Sequence, residues 1–180
     1  ISRIESGIGF SLNKVPCKIR DAISQVVPYF QEHSQKHHFE VVLPKKPVAV
    51  HIDKEKVEQV LKNLISNAVK YSPEGGVIQV KGELAQNADL GFRNAELKHK
   101  DVYLVSVQDE GMGMTAEQVE KIFDKFYRVD ASDTAIEGTG LGMTIVKYIT
   151  EAHGGKAWVE SELGKGTTVR FAVPIDNSGT

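Results

Sequence analysis

The stretch D-K-E-K-V-E-Q-V-L-K-N-L-I-S-N-A-V-K-Y, residues 53–71, decides how the rest of this chain is read. Val57, Val60, Leu61, Leu64, Ile65 and Ala68 recur at three-and-four spacing, which predicts a helix with one buried face, and Asp53 is placed to cap its start. At ~100° per residue, Asn63, Asn67, Lys70 and Tyr71 fall within about one quadrant along the border of that face. Glu55, Glu58, Lys62 and Ser66 lie opposite. A helix that only had to stay soluble would keep its polar groups on that outer side. Two amides, an ammonium and a phenol at the core border point to a site, with a solvated flank as the plain alternative for this helix taken alone.

On the N-terminal side, Ile19, Ile23, Val26, Val27 and Phe30 predict a helix over about residues 18–35. Short strands are expected over 39–43 and 48–52, around P-K-K-P. His33 and His37 have the spacing of metal ligands, but no third ligand accompanies them, so a solvated face is the better reading. On the C-terminal side a turn at 72–76 leads to a strand over 77–84, then to a long polar connection over 85–100. A strand over 102–109 follows, with Tyr103, Val105, Val107 and Asp109 on one face, so the carboxylate continues an apolar row.

Thr115 and Gln118 form a capping-box pattern, and Val119, Ile122, Phe123 and Phe126 are expected on the buried side of a short helix. Residues 128–137 are small, polar and aperiodic, as in a flexible flap. An amphipathic helix over 141–153 ends at Gly154-Gly155, and strands over 156–161 and 167–173 make a terminal hairpin. His153 is expected to favour the dipole at that helix's C-terminus.

With 180 residues and 41% of them hydrophobic, the chain can bury one core and reads as a single globular domain. A net charge of -2 gives no basic field, which argues against nucleic acid or an anionic membrane as partner. One cysteine, Cys17, makes no internal disulfide, in keeping with a reducing, cytoplasmic location. No apolar run has the length of a membrane span, so no membrane contact is expected of this domain. The first residue is Ile1, and the chain reads as a fragment whose parent could be membrane-anchored.

Two glycine motifs carry the chemistry. D-E-G-M-G, Asp109 to Gly113, sets a carboxylate at a strand end beside glycines that let a flat ligand come close, and a carboxylate can accept from an adenine amino group. G-T-G-L-G, Gly138 to Gly142, precedes a helix whose free N–H groups favour phosphate. Each alone is weak: most Asp-Gly strings are only turns, and the second motif is neither a Rossmann fingerprint nor a P-loop.

Taken in order with the amide stripe and with F-D-K-F-Y-R, these motifs resemble the ATP-binding domain of sensor histidine kinases, in the family shared with gyrase, Hsp90 and MutL. The resemblance implies an α/β (α+β) two-layer sandwich, with a mixed sheet of roughly five strands, helices on one face and an ATP lid. It implies an end of a phospho-acceptor helix and a linker over 1–16, the ATP-binding catalytic domain over 17–175, and a tail over 176–180. Its cofactors would be ATP and Mg²⁺. Asn67 would be the magnesium ligand with Asn63 beside it, Lys70 would touch phosphate, and Tyr71 would pack on base or ribose. Asp109, with Gly111 and Gly113, would read adenine, and Thr167 would assist through water. Tyr127 and Arg128 would belong to the lid, and Gly138, Thr139, Gly140, Leu141 and Gly142 to the phosphate loop; Asn63, Lys70 and Arg128 would be the catalytic set.

The implied reaction is transfer of the γ-phosphoryl group to a histidine. That histidine would lie on a helical domain of the same parent chain, because none of the six histidines here sits in an H-[ED]-x-[RKN]-[TS]-P box. A response regulator is the implied onward partner, with the fragment a monomer and its parent a homodimer. One rival is an ATP-hydrolysing switch of the gyrase or Hsp90 type, but those relatives carry a glutamate where Asn63 stands, and an amide takes no proton near neutral pH. The other rival is a non-catalytic nucleotide-binding module. The signal, the cognate regulator, any phosphatase activity and the role of residues 85–100 are not legible.

Overall fold

A computed structural model describes residues 11–86, 90, 101–129 and 140–175. In chain order the elements are β1 (Val15–Lys18), α1 (Ile19–His33), β2 (His37–Val42), β3 (Ala49–Ile52), α2 (Lys54–Lys70), β4 (Gly76–Gln86), β5 (Asp101–Asp109), α3 (Ala116–Lys121), α4 (Gly142–Ala152), β6 (Lys156–Glu162) and β7 (Gly166–Pro174). Five strands form one mixed sheet in the order β2-β4-β5-β7-β6, parallel only between β2 and β4. The helices cover one face of it, so the two-layer architecture is the one expected.

α2 sits at the centre of the helical layer. All six of its apolar stripe residues are buried, each worth about 1.5–3 kcal/mol when fully removed from water. They meet the buried residues of α1 and α4 and the inward rows of the sheet in one continuous core. Asp53 caps α2 as its residue type demands, accepting from the Lys56 N–H at 3.2 Å. Its second oxygen accepts from the Asn13 N–H at 3.0 Å, which ties the chain entering the domain to the start of this helix.

Two expectations need correcting, and one strand has no counterpart among them. β1 was not foreseen: it pairs antiparallel with β3 in a separate two-stranded ribbon, Val15 opposite Ile52 and Lys18 opposite Ala49, so β3 is not part of the main sheet. Phe126 is not buried. α3 ends at Lys121, the helical period lapses there, and Phe126 stands 63% exposed with a positive φ of 62°, uncommon for a bulky residue. His153 does not serve the helix dipole as a cation. It is 6% exposed, its Nδ1–H donates to the Ile149 carbonyl at 2.8 Å, and its Nε2 accepts from the Asp53 N–H at 3.0 Å. Only the neutral ring can make both bonds, and burial holds its pKa below the usual histidine value.

Candidate nucleotide site

A cleft opens where the end of α2 parts from the ends of β5 and β7. It encloses about 460 Å³, including its open mouth. Asn67 and Ala68 of α2 with Tyr71 at its C-cap form one wall, Met143 of α4 and Val129 another, and Val107, Asp109, Thr167 and Val169 the floor. The apolar lining fits the faces of a flat aromatic ring, while the polar groups gather at one end of the floor.

Asp109 is that polar end. It is 5% exposed at the last position of β5, opposite Thr167 on one side and Ile78 on the other. Burial raises its carboxyl pKa above the ordinary value. The Gly111 N–H at 2.8 Å, the Thr167 N–H and the charge field of nearby His37 pull the other way. The glycines beside it are required by space. A Cβ on Gly111 would lie 2.1 Å from the Tyr71 carbonyl, and one on Gly113, whose φ is +65°, would lie 2.0 Å from the Glu162 carbonyl. The Met112 N–H in turn donates to the Tyr71 carbonyl at 3.0 Å, so the Asp-Glu-Gly-Met-Gly turn is clamped to the end of α2.

The site residues read from the sequence divide into three groups. Asn67, Tyr71, Asp109, Gly113 and Thr167 line the cleft together. Gly111, Lys70 and Asn63 are not among the lining residues: the Lys70 ammonium lies 5.6 Å from the Tyr71 ring centre, while Asn63 borders a separate groove against Gln25 and Tyr29 of α1 and its amide donates to the Gly142 carbonyl at 3.4 Å. Gly140, Leu141 and Gly142 directly precede Met143 of the cleft wall, while Tyr127 is half-buried and Arg128 exposed next to Val129. Gly138, Thr139 and positions 130–137 of the expected flap lie outside the described residues. At the two edges of that stretch the Phe126 N–H donates to the Gly140 carbonyl at 3.0 Å, and a Cβ on Gly140 would press within 2.8 Å of the Phe126 backbone.

α4 begins at Gly142 with no side-chain cap and no acidic residue in its first turn. A helix start without a capping side chain or an acidic first turn is the kind an anion prefers. The oxygens of Asn63 and Asn67, one helical turn apart on α2, are neutral donors of the kind that suit Mg²⁺ brought in on phosphates. No cluster of three or more His, Cys, Asp or Glu side chains able to hold a metal exists among the described residues, and His33 and His37 fall on different elements.

Sequence reasoning missed two polar supports. Ser161, opposite Thr167 on β6, bonds three groups around the cleft floor; the hairpin register, had it been counted, would have placed it there. His37 holds the turn after α2, with its Nε2 donating to the Ser72 carbonyl at 2.8 Å and its Nδ1 2.6 Å from Ser34 Oγ. No local pattern signals that role, since its partner lies 35 residues away.

Comparison with known proteins agrees with this geometry. Residues 52–177 match the family described as histidine kinase-, DNA gyrase B- and HSP90-like ATPase. Sensor histidine kinase WalK of Bacillus subtilis is 39% identical over 168 residues, 92% of this chain and 25% of that protein, so the chain spans a quarter of that relative's length. The structure of full-length ShkA in complex with AMPPNP superposes with a TM-score of 0.77 at 25% identity, covering 97% of this chain and 33% of that one. The catalytic domain of histidine kinase ThkA does so with a TM-score of 0.72 at 27% identity, covering 91% and 97%. Fold, cleft and sequence concur: the chain belongs to the family of histidine kinase-, DNA gyrase B- and HSP90-like ATPases.

Proposed function

We propose that this domain binds Mg-ATP in the cleft and transfers the γ-phosphoryl group to a histidine on a helical phospho-acceptor domain of its parent, from which a response regulator takes it. One observation carries the choice between kinase and ATPase: the side chain one turn before Asn67 on α2 is an amide, Asn63, which donates to the Gly142 carbonyl at 3.4 Å. An amide cannot activate water by taking its proton, so hydrolysis lacks a base at this position. Likeness to WalK, and to ShkA solved with AMPPNP, supports the same reading.

In this account the domain works by positioning and electrostatics. Asp109 and Thr167 hold the base edge, with Tyr71 and the valines against its face. Lys70 and Arg128 offer cationic charge to the phosphates, and the glycines at 138–142 let the α4 amides approach them. Asn67 and Asn63 would hold the magnesium, which when bound neutralises charge between the phosphates. Residues 17–175 would make up this domain, with the helical acceptor domain joined on the side of residues 1–16.

The test is a pair of assays. The isolated domain is expected to turn over ATP very slowly, because a missing general base typically costs about 10²–10⁴ in rate. Mixed with the helical domain of its parent, it is expected to form an acid-labile phosphoprotein. Asn67→Ala is expected to abolish the Mg²⁺ dependence of ATP-analogue binding while leaving the fold intact. Steady hydrolysis with no phosphoprotein would favour the ATPase; tight binding with neither activity would favour a non-catalytic module.

A further inference from the structure

Ser161 Oγ, outside the cleft lining, sits among three polar groups next to Thr167 of the cleft floor. It accepts from the Met114 N–H at 2.8 Å, and it lies 2.9 Å from the Gly166 carbonyl and 2.9 Å from Thr167 Oγ1. A serine hydroxyl has one proton to give and two lone pairs. The Gly166 carbonyl can only accept, so the Ser161 proton goes there. One lone pair takes the Met114 N–H, and the other is left for Thr167. Thr167 therefore spends its single proton on Ser161 and turns lone pairs toward the cleft it lines.

The neighbour of Thr167 across the sheet is the Asp109 carboxylate, also an acceptor. We propose that Ser161 is a specificity-determining residue: by taking the Thr167 proton it makes the floor of the cleft acceptor-only, and so selects a base bearing an amino group over one bearing a carbonyl. Ser161 touches no base itself and acts through Thr167. The proposal rests on the reading of the cleft as an ATP site. A carbonyl at that position would face two acceptors without a donor, and sites that leave buried polar groups unpaired reject their ligand strongly.

The experiment compares Mg-ATP with Mg-ITP, which carries a carbonyl in place of the adenine amino group, by calorimetry on the wild-type domain and on Ser161→Ala, Ser161→Thr and Asp109→Asn. The wild type is expected to prefer ATP. Ser161→Ala frees the Thr167 hydroxyl to rotate and donate, so the preference is expected to fall about tenfold, with ITP gaining relative to ATP. Ser161→Thr keeps the hydroxyl and is expected to restore the preference. A merely structural serine would give a different signature, in which both nucleotides weaken by one factor, the melting temperature drops and the ratio stays put; that result overturns the proposal. Should Ser161→Ala not fold, Ser161→Cys keeps nearly the same volume with a poorer acceptor, and an unchanged ratio there overturns it equally. If Asp109→Asn leaves ATP affinity untouched, the ATP reading itself fails and this proposal with it. If Asp109→Asn weakens ATP while the Ser161 ratio holds, only the role of Ser161 is lost.

Discussion

Two rows of residues cross the same four strands, two positions apart. The inner row is Val80, Val107, Val169 and Val159; the outer is Ile78, Asp109, Thr167 and Ser161. Because side chains alternate with a period of two, both rows face the helical layer. The inner row is packed as core, while the outer row is core only at Ile78 and turns polar at Asp109, Thr167 and Ser161. The difference teaches where a site is placed in such a sandwich: not by a change of backbone, but where the helical cover runs out and the strands continue. Val107 and Val169 belong to the core and to the cleft floor at once, so the same valines that stabilise the fold supply the apolar surface for a ring.

The most direct way to break this comparison is to give the inner row the chemistry of the outer. Val107→Asp would bury a carboxylate with no Gly111-like amide to receive it, a change in the exceptional class above about 4 kcal/mol and a large part of a domain's stability. Loss of cooperative unfolding in urea, followed by circular dichroism, is the expected result. A variant that melts within a few degrees of wild type would show that the inner row is not the closed core described.

Asp109→Asn makes the reverse exchange of charge for neutrality in the outer row. Nucleotide affinity is expected to fall about ten- to a hundredfold, the usual cost of losing a hydrogen bond to a charged group, for ATP and ADP alike. Stability should move the other way. The folded-state pKa of Asp109 is raised, so the native protein holds that proton more tightly than the unfolded chain. Ionisation therefore costs stability at neutral pH, and the penalty disappears as pH falls below the ordinary carboxylate value. The empty Asp109→Asn domain is expected to melt at or above the wild-type temperature at pH 7; calorimetry in both senses checks the pair.

The smallest effect sharpens the comparison by testing a polar contact outside both rows. The folded-state pKa of His153 lies below its unfolded value, so its contribution to stability is present above about pH 6.5 and is lost as pH falls through the folded value. Protonation also removes the lone pair that accepts the Asp53 N–H, a loss of about 1 kcal/mol or 2–4 °C. Melting curves from pH 8 to 5 should show this decline in the wild type and a shallower one in His153→Gln.

Much of this was legible because it is local. The α2 periodicity, the Asp53 cap and the Thr115–Gln118 capping box all rest on contacts within four residues, and each stands as read. Asp109 could be placed on an apolar face by counting twos. What failed or went unseen is non-local or irregular. V-P-C-K carries no alternation, and β1 exists only because β3 lies against it. Extending the helical period past Lys121 puts Phe126 on the buried side, but the helix has already stopped there. The hairpin register alone sets Ser161 opposite Thr167, but β4 and β5 of the outer row lie far from that hairpin in sequence, and no spacing along the chain announces that the pair will stand beside Asp109.

The bond between the Asp53 N–H and His153 spans 100 residues. A chain emerging from its N-terminus completes α2 and its apolar stripe long before it owns the ring that accepts from the head of that helix. Closing so long a loop costs only slightly more entropy than a shorter one, but it has to wait for the last third of the chain to be made. β7, which carries Thr167, is later still and supplies half of the cleft floor. Until then the inward valines of β5 lack their neighbour on one side, and a truncated or stalled chain presents them to water. Nascent chains of this domain therefore pass through a stage in which most of the core sequence exists and the binding floor does not, and assembly of the cleft waits for the β6–β7 hairpin.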